Sequence, residues 1–244
     1  MFKLAIDGDE CEKKAYDLFL RDKFPSYEAF WSNFVVELTN RPNDVHLKSD
    51  VDLGTIFQRE SVKQLHQRVA ISQLHYSVLR MLLKAWKCME KSERDVSEVE
   101  NFFSSIYSAI DISAELFNRF YDMKEGVCDG PDPFDPQSCE SDSLRRRKNW
   151  QKNHDYPEDV QELRTYRNLM HHGQAFGSLI TPQAGNIALP KPAEVKKYLD
   201  WRNVGASWES SGIRDFLYAK DIVKDAFDCV LSFLETEWRK HLLS

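Results

Sequence analysis

Two long apolar periodicities, separated by a turn of six residues (Ser92–Ser97), constrain this chain more than any other feature. From about Glu60 to Lys91, Val62, Leu65, Val69, Ser72, Tyr76, Leu79, Leu83 and Trp86 recur every three or four residues. Gln, Arg and Lys occupy the other faces, which is the pattern of an amphipathic helix. Ser92-Glu-Arg-Asp-Val-Ser97 predicts a turn, with Ser97 and Glu100 as a capping box. A second helix is predicted over about Glu98–Met123, carrying Phe102, Ile106, Ile110, Ser113, Phe117 and Phe120 on its apolar side. Two helices of this length on so short a turn must lie antiparallel as neighbours.

The flanking segments extend the same architecture. Residues 1–25 read as a short extended piece (Phe2–Ile6) and a helical Glu10–Arg21, broken by Pro25. Ser26 is placed to cap an aromatic-rich helix over Tyr27–Leu38, with Tyr27, Phe30, Trp31 and Phe34. Residues 43–57 read as loop with room for short extended pieces. Pro157 suits the first turn of a helix running to His172. Beyond it, Ser178-Leu-Ile-Thr and Asn186-Ile-Ala-Leu flank a Pro-Gln-Ala-Gly turn, a small hairpin within residues 176–190. A short helix from Pro192 to about Trp201 and a Gly/Ser loop lead to a last long helix, about Asp215–Leu242. That helix should bury Phe216, Ala219, Val223, Ala226, Val230, Phe233, Leu234 and Trp238. The expected fold class is all-α, an antiparallel bundle of at least four long helices with a small β-hairpin insertion. Residues 1–57 would form an N-terminal helical extension packed on a core of 58–244, within one compact domain. A hydrophobic content of 42% with 15 Phe, 9 Tyr and 6 Trp can fill that core, and only 9 Gly argue against a turn-punctuated all-β protein.

Charge and cysteine usage narrow the setting. A net charge of −6 argues against a general nucleic-acid coat but leaves room for a local basic site. Cys11, Cys88, Cys128, Cys139 and Cys229 are odd in number and lack CxxC spacing, the usage of a reducing compartment. Cys128 and Cys139 share a loop, but that compartment disfavours their pairing. No apolar leader opens the chain and no stretch approaches the roughly 20 apolar residues of a membrane span, so a cytoplasmic protein without a membrane partner is expected.

Chemistry is concentrated in Leu163-Arg-Thr-Tyr-Arg-Asn-Leu-Met-His-His-Gly173. At about 100° per residue, Arg164, Arg167, Asn168 and His171 fall on one polar stripe, beside an apolar stripe of Val160, Leu163, Tyr166 and Met170. Gly173 is placed to stop the helix. Arg offers a permanently charged fork matched to phosphate, and His exchanges a proton near neutral pH. Together they can cleave RNA without metal. The imidazole draws a proton from a ribose 2′-hydroxyl, that oxygen attacks the adjacent phosphate, and the guanidinium stabilises the developing charge. The product is a 2′,3′-cyclic phosphate, and DNA is inert. The plainer alternative has Arg164 and Arg167 pairing with Glu162 or Asp159 while the histidines cap the helix end.

Tyr166-Arg-Asn-Leu-Met-His-His-Gly173 resembles the signature of HEPN domains (higher eukaryotes and prokaryotes nucleotide-binding), with Arg167, Asn168 and His172 in the motif positions. The resemblance covers most of residues 58–243 and implies a helical bundle. It implies a metal-independent endoribonuclease, often a toxin or defence effector, working as a homodimer with two motifs facing one cleft. It equally admits a member that has lost catalysis and serves as an RNA-, nucleotide- or protein-binding module. RNA and a second copy of the chain are the implied partners, with an antitoxin or a nucleotidyltransferase as the partner such a toxin carries. No cofactor is implied.

Within the motif, the family pattern favours His172 as base, whereas helical geometry favours His171, about 40° from Arg167 rather than about 140°. Arg167 would stabilise the transition state, and Asn168 would orient the phosphate or brace the motif. Helpers are His171, Arg164 and Asp111, the last either facing the motif from the second long helix or simply facing solvent. Ahead of the motif, residues 125–142 hold six acids and no base, and Leu144–Lys152 hold five bases and no acid. Arg145, Arg146, Arg147, Lys148 and Lys152 could hold RNA phosphates, with Trp150 stacking on a base, or could instead answer the adjacent acidic stretch. No metal site is expected, because neighbouring His171 and His172 diverge and no nearby ligands complete a set. His46, His66, His75, His154 and His241 read most simply as surface or amphipathic positions. A helical interaction protein whose Arg/His stripe only makes salt bridges is the remaining alternative.

Overall fold

The computed structural model describes residues 21–40, 60–124, 158–171, 181–183, 186–191, 193–194 and 216–243. Among them stand six helices and three short strands. They are α1 (Arg21–Lys23), α2 (Pro25–Asn40), α3 (Glu60–Lys91), α4 (Val96–Lys124), α5 (Glu158–His171), β1 (Thr181–Gln183), β2 (Asn186–Pro190), β3 (Phe216–Tyr218) and α6 (Ala219–Leu242). The protein is mostly α-helical with a small antiparallel sheet. No helix of the described residues is long and apolar enough to cross a membrane.

The α3–α4 pair forms where the spacing predicts it, and the turn between them is built by side chains. Ser92 closes α3 by donating its hydroxyl to the Met89 carbonyl at 2.8 Å. The cap of α4 is Asp95, not Ser97: its carboxylate accepts the Ser97 N–H at 2.9 Å and the Ser97 hydroxyl at 2.6 Å. These bonds hold the Asp95 carboxyl below its ordinary range. On α4, the expected line of Phe102, Ile106, Ile110, Ser113, Phe117 and Phe120 is buried.

On α3 the buried face differs from the expected one. Val69 and Tyr76 are 47% and 48% exposed, while Gln67, Ile71, His75, Val78, Leu82 and Ala85 form the inward line. The two stripes merge beyond Val78, where Leu79, Leu83 and Trp86 are buried as predicted. They separate earlier because α2 docks there, over His75. The His75 ring is stacked between Tyr27 at 3.9 Å and Trp31 at 4.8 Å, and its Nε2 lies 3.3 Å from the Tyr27 carbonyl. Hydropathy alone assigns a histidine to the surface. An aromatic cage and one carbonyl acceptor make this one a core residue.

The helix break falls before Pro25 as expected, but Pro25 itself opens α2, so Ser26 is the second helical residue and not the cap. Phe24 is the non-helical residue, and its carbonyl accepts the Tyr27 N–H at 3.1 Å. Pro25 then takes the first helical position, where a fixed φ helps and a missing N–H costs nothing. The N–H of Ser26, left without a partner inside the helix, donates to the Glu235 carboxylate of α6 at 2.8 Å.

Helix α6 runs alongside α4 in the same direction. Lys220 lies 3.5 Å from Glu93 at one end, and Tyr121 lies 2.6 Å from His241 at the other. Between them Trp238, fully buried, donates its indole N–H to the Ser113 hydroxyl at 3.1 Å. Its ring packs edge-on against Phe24 at 5.0 Å and Phe30 at 5.7 Å, joining α2 to the core of the bundle. The inward line predicted for α6 from Ala219 to Trp238 is buried throughout. Its start is not as predicted. Phe216–Tyr218 pair with β2, so the helix begins at Ala219 and Phe216 is only half-buried. A hairpin forms as β1–β2, with Thr181 opposite Ala188, but Pro182 and Gln183, expected in the turn, are paired strand residues; β3 makes it a three-stranded sheet in the order β1-β2-β3. The central strand buries Ile187, Ala188 and Leu189, and the Ile187 N–H donates to the Glu93 carbonyl at 3.0 Å. That bond fastens the sheet to the α3–α4 turn.

The remaining expectations for residues 1–20, 43–57, 125–157 and 195–215 lie outside the described residues.

Candidate functional site

Helix α5 carries the Arg/His motif, and its position follows from the apolar stripe of the sequence. Val160, Leu163 and Tyr166 are at most 3% exposed, so this face of α5 is spent on the core. Tyr166 is the anchor. Its ring stacks on Phe103 of α4 at 4.8 Å, and its hydroxyl donates to the Pro190 carbonyl of β2 at 2.7 Å. Burial pushes its phenol well up from the ordinary range, with the charge of Glu162 one turn back adding to the shift. It stays a neutral donor. An aromatic side chain so buried contributes on the order of 1.5–3 kcal/mol from area alone.

One position on, the chain turns to the edge of this interface. Arg167 is half-buried, and its guanidinium carbon lies 4.5 Å from the centroid of the Tyr107 ring. Phe103, Tyr107 and Asp111 follow one another at i, i+4 and i+8 along α4, a single column on the helix. Tyr166 meets the first of these, Arg167 the second, and half-buried Asp111 stands one turn further. The column therefore puts the guanidinium over an aromatic face, with a carboxylate as the next group along. A guanidinium over a ring face is attracted by the ring quadrupole and keeps its N–H groups as potential donors to an anion.

Arg164 is exposed, one turn back from Asn168 on the same helix. The backbone of Asn168, Met170 and His171 is helical, while their side chains lie outside the described residues. So do His172, Gly173, the basic run Arg145, Arg146, Arg147, Lys148 and Lys152, and Trp150. Among the described residues no group of three or more His, Cys, Asp or Glu side chains is placed to hold a metal ion. A cavity of about 190 Å³ lined by Glu93, Asn186, Ile187, Tyr218, Lys220 and Asp221 shares none of these groups.

Sequence reasoning missed Tyr107 and Phe103. Their only signal was an aromatic pair at i, i+4 on a helix already rich in Phe, which does not say which neighbour it meets. It also passed over His241, which is half-buried, bonded to Tyr121 and 3.1 Å from the Glu237 carboxylate. Comparison of the chain with known protein families, curated proteins and solved structures returns no match.

Proposed function

We propose that the chain is a metal-independent endoribonuclease of the HEPN type, with Arg167 as the phosphate-binding group and His172 as the proton-transfer group. The observation that carries this reading is the Arg167 guanidinium held 4.5 Å over the Tyr107 ring at the edge of the α4–α5 interface. A cation so held is oriented before substrate arrives, so little of its binding energy is lost in ordering a flexible side chain. Asn168, on the same stripe as Arg167, orients the phosphate. Asp111, one turn beyond Tyr107 on α4, is the acid we assign to steer the arginine or an imidazole. His172 takes the ribose 2′-hydroxyl proton, the freed oxygen attacks the neighbouring phosphorus, and the 5′-oxygen leaves with a proton returned from the imidazole. One arginine and one base make a thin site, so two copies of the motif facing each other across a homodimer complete it.

The test is purified protein with labelled RNA in EDTA, wild type beside Arg167→Ala and His172→Ala. The reading requires cleavage to a 2′,3′-cyclic phosphate, none on DNA, and a loss on the order of 10²–10⁴ in each variant. RNA bound without cleavage would instead establish a non-catalytic binding module. Neither binding nor cleavage would leave an interaction protein whose arginine serves packing alone.

A further inference from the structure

We propose that Tyr121 is a base-assisted nucleophile in a second site, formed with His241 and Glu237 at the far end of the bundle, and that it takes acyl groups from neutral activated esters. The three groups form a line. The Tyr121 hydroxyl lies 2.6 Å from His241 Nδ1, and His241 Nε2 lies 3.1 Å from the Glu237 Oε2. Glu237 and His241 sit one turn apart on α6, and Tyr121 comes from the last turns of α4. Tyr107 and Tyr121 are separated by 14 residues of α4, about 21 Å along the helix, so this site is distinct from the arginine of α5. The inference does not depend on the ribonuclease reading.

With His241 neutral, the two contacts select one tautomer. A carboxylate can only accept, so Nε2 carries the imidazole proton and donates it to Glu237. Nδ1 is then the bare nitrogen, and the phenol donates to it. A carboxylate, an imidazole and a hydroxyl in this order allow the hydroxyl to act as a nucleophile without first ionising. The imidazole accepts the proton as the new bond forms, and the carboxylate stabilises the resulting imidazolium. Phe117 stacks on the imidazole at 4.9 Å, and the His241 and Glu237 side chains are 12% and 10% exposed. The base is therefore rigid and shielded. Tyr121 is 39% exposed as a residue, so its side chain is open to solvent on one side.

Burial and the Glu237 charge raise the phenol above its usual range, so a standing phenolate is disfavoured and transfer to the imidazole must accompany attack. The same negative charge repels a phosphate donor and leaves an uncharged carbonyl unaffected, which selects the class of electrophile. In the step, the Tyr121 oxygen bonds to the ester carbonyl carbon while its proton passes to His241 Nδ1. The bond from that carbon to the leaving oxygen breaks, the leaving group departs with the electron pair, and His241 returns the proton to it. An aryl ester of Tyr121 and a free alcohol or phenol result.

The experiment treats the whole chain with p-nitrophenyl acetate and follows acetylation of individual tyrosines by peptide mass spectrometry. Tyr76 and Tyr218, 48% and 44% exposed, serve as controls in the same molecule. Tyr121 should acetylate at least about tenfold faster than either, and His241→Gln should remove that advantage. Glu237→Gln should reduce it, with helical content unchanged. A merely structural link between the helix ends would lower thermal stability in these variants without moving the ratio among tyrosines. Equal labelling of Tyr121, Tyr76 and Tyr218 in the unmodified chain overturns the proposal, whether or not the variants fold. So does an advantage that survives His241→Gln.

Discussion

The guanidinium of Arg167 rests 4.5 Å over the ring of Tyr107, one residue beyond the tyrosine that pins α5 to the core. Tyr166 and Arg167 are about 100° apart on the helix, so one points into the bundle and the other along its edge. Both meet the same column of α4. The placement of the arginine is thus a consequence of the burial of its neighbour, and the two contacts should be separable by mutation.

A double-mutant cycle measures the stacked pair without reference to activity. Tyr107→Leu keeps apolar volume and removes the π face, and Arg167→Met keeps the stem and removes the charge. The coupling energy between them should be about 0.5–2 kcal/mol in urea unfolding, since the pair is half-buried. Tyr107→Phe should retain it. A coupling indistinguishable from zero would mean that Tyr107 does not hold the arginine. On the ribonuclease reading, Tyr107→Leu also slows RNA cleavage by about tenfold, the equivalent of roughly 1.4 kcal/mol.

Tyr166→Phe tests the other contact. The ring keeps its stack on Phe103, but the Pro190 carbonyl loses its donor in a buried setting. The expected loss is about 1–3 kcal/mol of unfolding free energy, read as a lower urea midpoint at constant m-value. Because the bond ties α5 to β2, amide exchange should quicken at the end of α5 before the centre of α4. Unchanged stability would show that the strand contributes nothing to holding the motif helix.

Much of this frame is legible in the residues, and the exceptions share a physical cause. Helices α3, α4 and α5 end within a residue or two of where periodicity places them, because polar residues interrupt the apolar repeat there. Asp95 and Ser97 are both good caps two residues apart, and only the path of the turn decides between them. Phe216-Leu-Tyr218 is continuous in hydropathy with α6. It becomes a strand because β2, some 30 residues earlier, offers it a partner. The column Phe103–Tyr107–Asp111 carries no mark of its role, since which face of α4 meets α5 is settled by tertiary packing. His75 is the clearest case: its burial depends on Tyr27 and Trp31, which local patterning cannot bring to it.

The bond from Trp238 to Ser113 offers a test of the centre of the bundle. Both residues are fully buried, and the indole N–H has the Ser113 hydroxyl as acceptor at 3.1 Å. Ser113→Ala removes one atom and leaves a buried donor unsatisfied, which should destabilise the chain by about 1–3 kcal/mol. Far-UV helicity should be retained, because Trp238 still fills its place among Phe24, Tyr27 and Phe30. A neutral outcome would mean that the indole finds another acceptor at no cost.

His75 makes the fold sensitive to acid, and the sign follows from where its protons bind. Burial lowers its pKa from the ordinary 6.5 to about 4, against a smaller opposing effect of the Tyr27 carbonyl. Between these values the unfolded chain binds a proton that the folded chain refuses, so falling pH favours unfolding. The stabilisation is complete above about pH 6.5, declines as pH drops toward 4, and is gone below it. The size is at most about 3 kcal/mol for a shift of this extent. His75→Phe keeps an aromatic ring between Tyr27 and Trp31 and has nothing to protonate. Its unfolding free energy should therefore fall less than that of the wild type over pH 6.5 to 4, a difference read from urea melts at each pH. Parallel curves for the two proteins would show that another group sets the acid response. A variant with a flatter curve but lower stability at pH 7 would assign the acid response to the imidazole and the neutral-pH loss to its bond with the Tyr27 carbonyl.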